Sequence, residues 1–277
     1  MQRSFYFLSA VLLCAMVCAP NSLADAVLEW RGSWQQGGLV LGKVQPGATI
    51  RYQGESLKVS ADGQFLVGFS RSAPAVSTFV VTAANGVSTE SQYAIAARTY
   101  DVQKVEGVPQ RTVEPPAEQL QRIRSDSALV NKARRPVTDR TDFLGGFIKP
   151  LEGPITGVYG SQRVYNGVPK SPHYGLDYAA PTGSIVMAPA AGVVRLAHRD
   201  LFYSGGTLIV DHGHGLTSSF LHLSDILVAE GSRVQRGDPI ARVGATGRAT
   251  GPHLDWRMNW LNVRIDPALV LESFPAQ

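Results

Sequence analysis

Two stretches of this chain, from Asp25 to about Ala97 and from Phe143 onward, consist of short apolar runs broken by glycine and proline turns. Runs such as Thr49-Ile50-Arg51-Tyr52 and Gln64-Phe65-Leu66-Val67-Gly68-Phe69 are rich in β-branched and aromatic residues, and Asp62-Gly63 and Asn85-Gly86 supply tight turns between such runs. The pattern predicts an all-β protein, with a small N-terminal β-sandwich over 25–97 and a mainly antiparallel sheet over 143–277. With 44% hydrophobic and 17% charged residues in 277, the chain has core enough for one or two domains. General disorder, collagen and a bundle of membrane spans are excluded. The net charge of +4 comes without a basic block, so nucleic acid is not an implied partner.

Residues 1–24 have the outline of a secretory signal peptide: Arg3, an apolar run from Phe5 to Ala19, then Ser22-Leu23-Ala24 as a small-x-small cleavage site. Both cysteines, Cys14 and Cys18, fall inside it, so the mature chain uses no disulfide and tolerates an oxidising compartment. Residues 98–142 carry nine basic and seven acidic residues, about twice the charge density of the whole chain, and read as a charged linker. Within it, Pro116-Ala117-Glu118 opens a helix expected to turn Leu120, Ile123, Ser127 and Val130 towards the body and to stop at Arg134-Arg135-Pro136.

All six histidines lie between His173 and His253. His173 and Asp177 are four apart, a spacing that puts both on one face of a strand, and an imidazole converging with a carboxylate is two thirds of a catalytic zinc site. The segment His253-Leu254-Asp255-Trp256-Arg257-Met258 alternates strictly, with three polar groups on one face of a core-like strand. His222 sits in the apolar run Phe220-Leu221-His222-Leu223-Ser224. His212 and His214 flank a turn and His198 lies beside Arg199 and Asp200; all three read as structural or surface residues. Tyr159 is a candidate groove residue and equally an ordinary strand aromatic. A biotin- or lipoyl-carrier reading of 228–240 fails because the last lysine is Lys170.

These residues resemble the zinc metallopeptidases of family M23, the lysostaphin or LytM type, over roughly 147–268. The motifs are His173-x3-Asp177, then Phe220-Leu221-His222-Leu223-Ser224, then Gly251-Pro252-His253-Leu254-Asp255-Trp256. The N-terminal strands look like the accessory domain of some Gram-negative members. The resemblance implies one Zn2+ held by His173, Asp177 and Asp255, and His222 and His253 as the pair that handles the water and the developing oxyanion. It departs from the family at Asp255, where the third ligand is usually His. Aspartate can ligate zinc, but a second carboxylate makes the ion a poorer Lewis acid. Arg257, on the same face, offers Asp255 a competing ion pair; ligation is the expectation.

The function implied is a zinc-dependent endopeptidase that hydrolyses peptide cross-links of peptidoglycan, acting on its peptide stems as a periplasmic monomer. The alternative is a catalytically impaired regulator that docks on another murein hydrolase or a scaffold. A linker or N-terminal domain folded over the cleft would keep such an enzyme latent.

Overall fold

The computed structural model describes residues 27–105, 117–165 and 167–276; the expected signal segment lies outside the described residues. Seven strands come first: β1 (Glu29–Gly32), β2 (Leu39–Lys43), β3 (Thr49–Tyr52), β4 (Glu55–Ser56), β5 (Gln64–Gly68), β6 (Val76–Thr82) and β7 (Ser88–Ala94). They pair antiparallel in two small sheets, β1-β2-β5 and β4-β3-β6-β7. The alternating inward residues meet face to face as an aromatic cluster. Trp30 packs edge-on against Phe65 of its own sheet and Phe79 of the other, both at 5.3 Å between ring centroids. This is the β-sandwich expected from the period-two runs.

Next come β8 (Val102–Val105) and the helix α1 (Leu120–Arg134). β8 pairs in parallel with β10 (Gln162–Tyr165), so the charged segment contributes a strand as well as a helix. α1 begins and ends where the proline and arginine signals placed it, and Val130 faces inward as expected, together with Ala133, on Leu196, Leu201 and Ile209. Leu120 and Ser127, expected to face the body, are exposed, Leu120 at 40%. Polar contacts hold the first half of the helix: Arg122 pairs with Asp200, and Asp126 accepts from Phe202 N.

The remaining strands are β9 (Ile155–Gly157), β11 (Val168–Pro169), β12 (Gly175–Ala179), β13 (Ile185–Met187), β14 (Gly192–Leu201), β15 (Gly205–Gly213), β16 (Leu216–Leu223), β17 (Asp225–Ile226), β18 (Arg233–Val234), β19 (Pro239–Arg242), β20 (His253–Trp260) and β21 (Val263–Ile265), closed by the helix α2 (Pro267–Ser273). The principal sheet runs β18-β14-β15-β16-β20-β12-β9, all antiparallel, and β21 extends it beside β20. One face of this sheet is core: Leu208, Val210, Phe220, Leu254, Trp256 and Met258 are all fully buried there. The other face carries Asp255 and Arg257, with Ser219 and Ile209 in line with Arg257 on β16 and β15. α1 lies on this second face, since it packs on Ile209 and its Arg134 reaches Ser219.

The sandwich abuts the far end of β20. Gly68 is pressed against Trp260 and Ile265, so closely that a Cβ there would lie 2.9 Å from Ile265 Cγ2. Asp266 joins the two parts: it caps α2 by accepting from Ala268 N at 2.9 Å, and its other oxygen accepts from Arg98 Nη1, also at 2.9 Å.

Candidate active site

Strand register brings the predicted residues together. Asp177 on β12 stands directly opposite Asp255 on β20, and Ala179 opposite His253. His173, just before β12, lies with its Nε2 3.0 Å from Asp177 Oδ1 and 3.6 Å from Asp255 Oδ2. Ligand atoms of the three residues all fall within 4.8 Å of one another. Two glycines make the room. A Cβ on Gly157 would sit 2.3 Å from Asp177 Oδ2, and one on Gly175 would sit 2.1 Å from Asp255 Oδ1.

His222 arrives by a different device. Regular alternation from Leu221, which pairs with Asp255, would turn the His222 side chain to the core face. A bulge in β16, where Gly206 pairs with Leu223 but Leu208 with Phe220, breaks the alternation, and His222 itself has φ +64°. The ring is thereby set 4.8 Å from that of His253. Both rings are oriented by carbonyl groups, which only accept. His222 Nδ1 donates to Thr246 O at 2.8 Å and His253 Nδ1 to Gly251 O at 2.8 Å. In the neutral state each ring therefore keeps Nε2 as a proton acceptor. Burial lowers the His222 pKa, only partly offset by the bond to Thr246 and the charge of Asp255.

The residues fit a divalent cation. His173 Nε2 and Asp177 Oδ1 are buried and have no hydrogen-bond partner among the described residues; they touch without being aligned as donor and acceptor. Their separations resemble the edge of a tetrahedral zinc site, ~3.3 Å for bonds of ~2.0–2.1 Å. Burial lowers the His173 pKa, but contact with Asp177 and Asp255 outweighs it and raises the value to about 10. A cation bound there displaces that proton.

Asp255, only 2% exposed, is also engaged by Arg257. Nε donates to Oδ1 at 2.9 Å and to Oδ2 at 3.0 Å, and Nη2 to Oδ2 at 2.5 Å. Burial would raise the Asp255 pKa, but the guanidinium and His173 hold it well below the usual carboxylate range. The pair and the triad thus share one carboxylate, whose oxygens each have a second lone pair. With Arg257 attached, Asp255 adds no net charge, so the set His173, Asp177, Asp255 and Arg257 totals −1, as two neutral imidazoles and one carboxylate would. The charge penalty foreseen for a second carboxylate is offset by a neighbour.

Gly175→Ala tests how tightly this cradle is built. Its Cβ must displace Asp255 or Arg257, whose Cγ is 2.9 Å from the same point. The expected result is metal affinity lower by about 10- to 100-fold, as for other losses of ligand support. Zinc titration against a competing chelator, with a thermal melt to show that the fold persists, measures it.

Of the other candidates, Tyr159 is buried and spends its hydroxyl on Arg264 O at 2.9 Å. His212 donates from Nδ1 to Ala191 O at 2.7 Å and has Ser218 Oγ 2.9 Å from Nε2. It is fully buried, and burial lowers its pKa. It is therefore neutral in the fold, whereas the unfolded chain takes up a proton once the pH falls to about 6.5. Stability is expected to decline from about pH 7 downward until the folded ring protonates, by at most ~1.4 kcal/mol per pH unit from this group. Denaturant titrations at pH 7.5 and 5.5 should show a smaller decline in His212→Gln than in the wild type.

An acidic and imidazole triad beside two acceptor imidazoles, on one face of an antiparallel sheet, is the arrangement of a metallohydrolase centre. Residues 171–267 match the sequence model of peptidase family M23. A Pseudomonas aeruginosa structure assigned to peptidase M23 is 32% identical with a TM-score of 0.68, over 87% of this chain and 96% of that one. The peptidoglycan DD-endopeptidase ShyB of Vibrio cholerae is 36% identical over 137 residues, 50% of this chain and 28% of ShyB. The DD-carboxypeptidase/endopeptidase Mpg of Neisseria meningitidis is 40% identical over 103 residues, 37% of this chain and 24% of Mpg. The chain spans about a quarter of the length of these curated relatives. It belongs to peptidase family M23.

Proposed function

We propose that this chain is a zinc-dependent endopeptidase that hydrolyses peptide cross-links of bacterial peptidoglycan. The observation that carries the reading is the convergence of His173, Asp177 and Asp255 with the His222–His253 pair on one sheet face. The name of ShyB, a peptidoglycan DD-endopeptidase, supports the substrate. Zinc held by His173, Asp177 and Asp255 would acidify a water and polarise the scissile carbonyl. His222, kept neutral by burial, accepts the proton of the attacking water at Nε2 and returns it to the leaving amine. His253, in the form that has taken a second proton from solvent, would donate from Nε2 to the oxyanion that develops on the carbonyl. Arg257 holds the Asp255 carboxylate in place and balances its charge.

Export by a signal cleaved after Ala24, and action on peptide stems as a periplasmic monomer, belong to the same proposal. The apolar run from Phe5 to Ala19 and the cysteine-free remainder support it. One observation favours the regulator as a second reading: Arg257 engages both oxygens of Asp255.

Zinc content and muropeptide release from purified peptidoglycan, for the mature chain and for Asp255→His and His222→Ala, decide between them. Near-stoichiometric zinc and release by the wild type, with release lost in His222→Ala, establish the enzyme. No zinc and no release, with stimulation of a second murein hydrolase on mixing, establish the regulator; zinc or release regained in Asp255→His identifies this position as the cause.

A further inference from the structure

Beyond Asp255 the site face turns cationic. On β20 the residues that follow on that face are Arg257 and Asn259. Arg257 lies opposite Ser219 of β16, and Asn259 opposite Arg264 of β21. Arg134, the last residue of α1, donates from Nη2 to Ser219 Oγ at 2.9 Å. Arg264 donates from Nη1 to Asn259 Oδ1 at 3.0 Å. Three guanidinium groups from three elements therefore gather within two rungs of the sheet, next to the metal triad.

Arg257 is matched by Asp255, but the charges of Arg134 and Arg264 are not. Asp255 and, farther off, Asp177 are the carboxylates whose fields reach Arg257, and both belong to the triad. Arg134 and Arg264 are bonded to neutral oxygens, and Arg134 Nε is buried with no hydrogen-bond partner among the described residues. Burial, and then the other guanidiniums, lower the pKa of both, that of Arg264 to about 10. Holding like charges together in a partly buried place is costly unless an anion completes it. A carboxylate matches the fork of the guanidinium group in both shape and charge.

We propose that Arg134 and Arg264, beside Arg257, form a subsite for a free carboxylate of the wall peptide close to the bond being cut. The subsite adjoins the triad, since Arg257 bonds Asp255 directly while Arg134 and Arg264 reach the neighbouring Ser219 and Asn259. The proposal rests on the peptidase reading and adds a substrate preference to it. It also makes the linker helix part of the recognition surface, because the subsite is incomplete without Arg134.

The test compares muropeptide dimers with free carboxyl groups against the same dimers with those groups amidated, using the mature chain, Arg134→Gln and Arg264→Gln. The wild type is expected to favour the free acids in kcat/KM by about tenfold or more, the worth of one charge-assisted hydrogen bond, chiefly through KM. Each variant should lose most of that preference while cleaving the amidated dimers as the wild type does. Arg134→Lys should restore it only in part, since an ammonium lacks the fork. Equal kcat/KM for acid and amide in the wild type overturns the subsite, whatever the variants do. If neither dimer is cut, the peptidase reading fails, and calorimetric titration with D-alanyl-D-alanine and its C-terminal amide then decides. Tighter binding of the acid, lost in Arg134→Gln, supports the subsite; equal binding or none overturns it.

Discussion

Asp255→Ala is expected to abolish retention of zinc and to destabilise the fold by about 3–5 kcal/mol, the usual cost of leaving one member of a buried ion pair alone. Asp255 is the buried partner of Arg257, and across the strand from Arg257 stands Gly175, which offers no side chain in its place. The two losses have separate causes and separate cures. Asp255→Ala/Arg257→Met should regain most of the stability, because no buried charge is then left unpaired, but none of the metal binding. Asp255→His retains a potential ligand yet strands Arg257, so adding Arg257→Gln should raise its stability and tighten its zinc binding further. Zinc content after dialysis, together with denaturant unfolding, reads both effects. Stoichiometric zinc in Asp255→Ala would show that Asp255 serves the ion pair alone.

His222→Asn should lower muropeptide hydrolysis by about 10²- to 10⁴-fold, the range expected for loss of a positioned general base, with zinc content unchanged. Asparagine is the informative replacement because it tolerates the left-handed backbone that His222 adopts at φ +64°. His222→Ala removes the same imidazole but adds backbone strain of ~1 kcal/mol or more. Equal activity losses in the two variants, with a lower melting temperature only in the alanine form, would separate the chemistry from the strain. Activity retained in His222→Asn would move the proton-handling role to His253.

Where a local period governs, the chain was readable from its residues. The alternation over His253, Asp255 and Arg257 fixes one polar and one core face, and the structure keeps Leu254, Trp256 and Met258 fully buried opposite them. The same holds for the short runs of the N-terminal sandwich and for the ends of α1. Of the residues that α1 turns inward, Val130 was readable and Ala133 was not, because the contacts of the helix are set by the sheet beneath it. Leu120 lies beyond that contact and stays exposed, while Ala133 and Val130 rest on Leu196 and Ile209.

Two features of the site are tertiary in origin. The His222 ring is brought to His253 by a bulge, and a bulge depends on how β15 pairs with β16, which no residue of the Phe220–Ser224 run encodes alone. The cationic strip depends on α1 crossing the sheet so that Arg134 meets Ser219, 85 residues away in sequence, beside Arg257. The residues by themselves determined the chemistry available: the triad, the imidazole pair and the unusual carboxylate at 255. Only the tertiary structure decided that the carboxylate is charge-balanced by Arg257 and that the groups stand on one face. Side-chain type and strand period are local properties, whereas register, bulges and helix docking are set by contacts between distant segments.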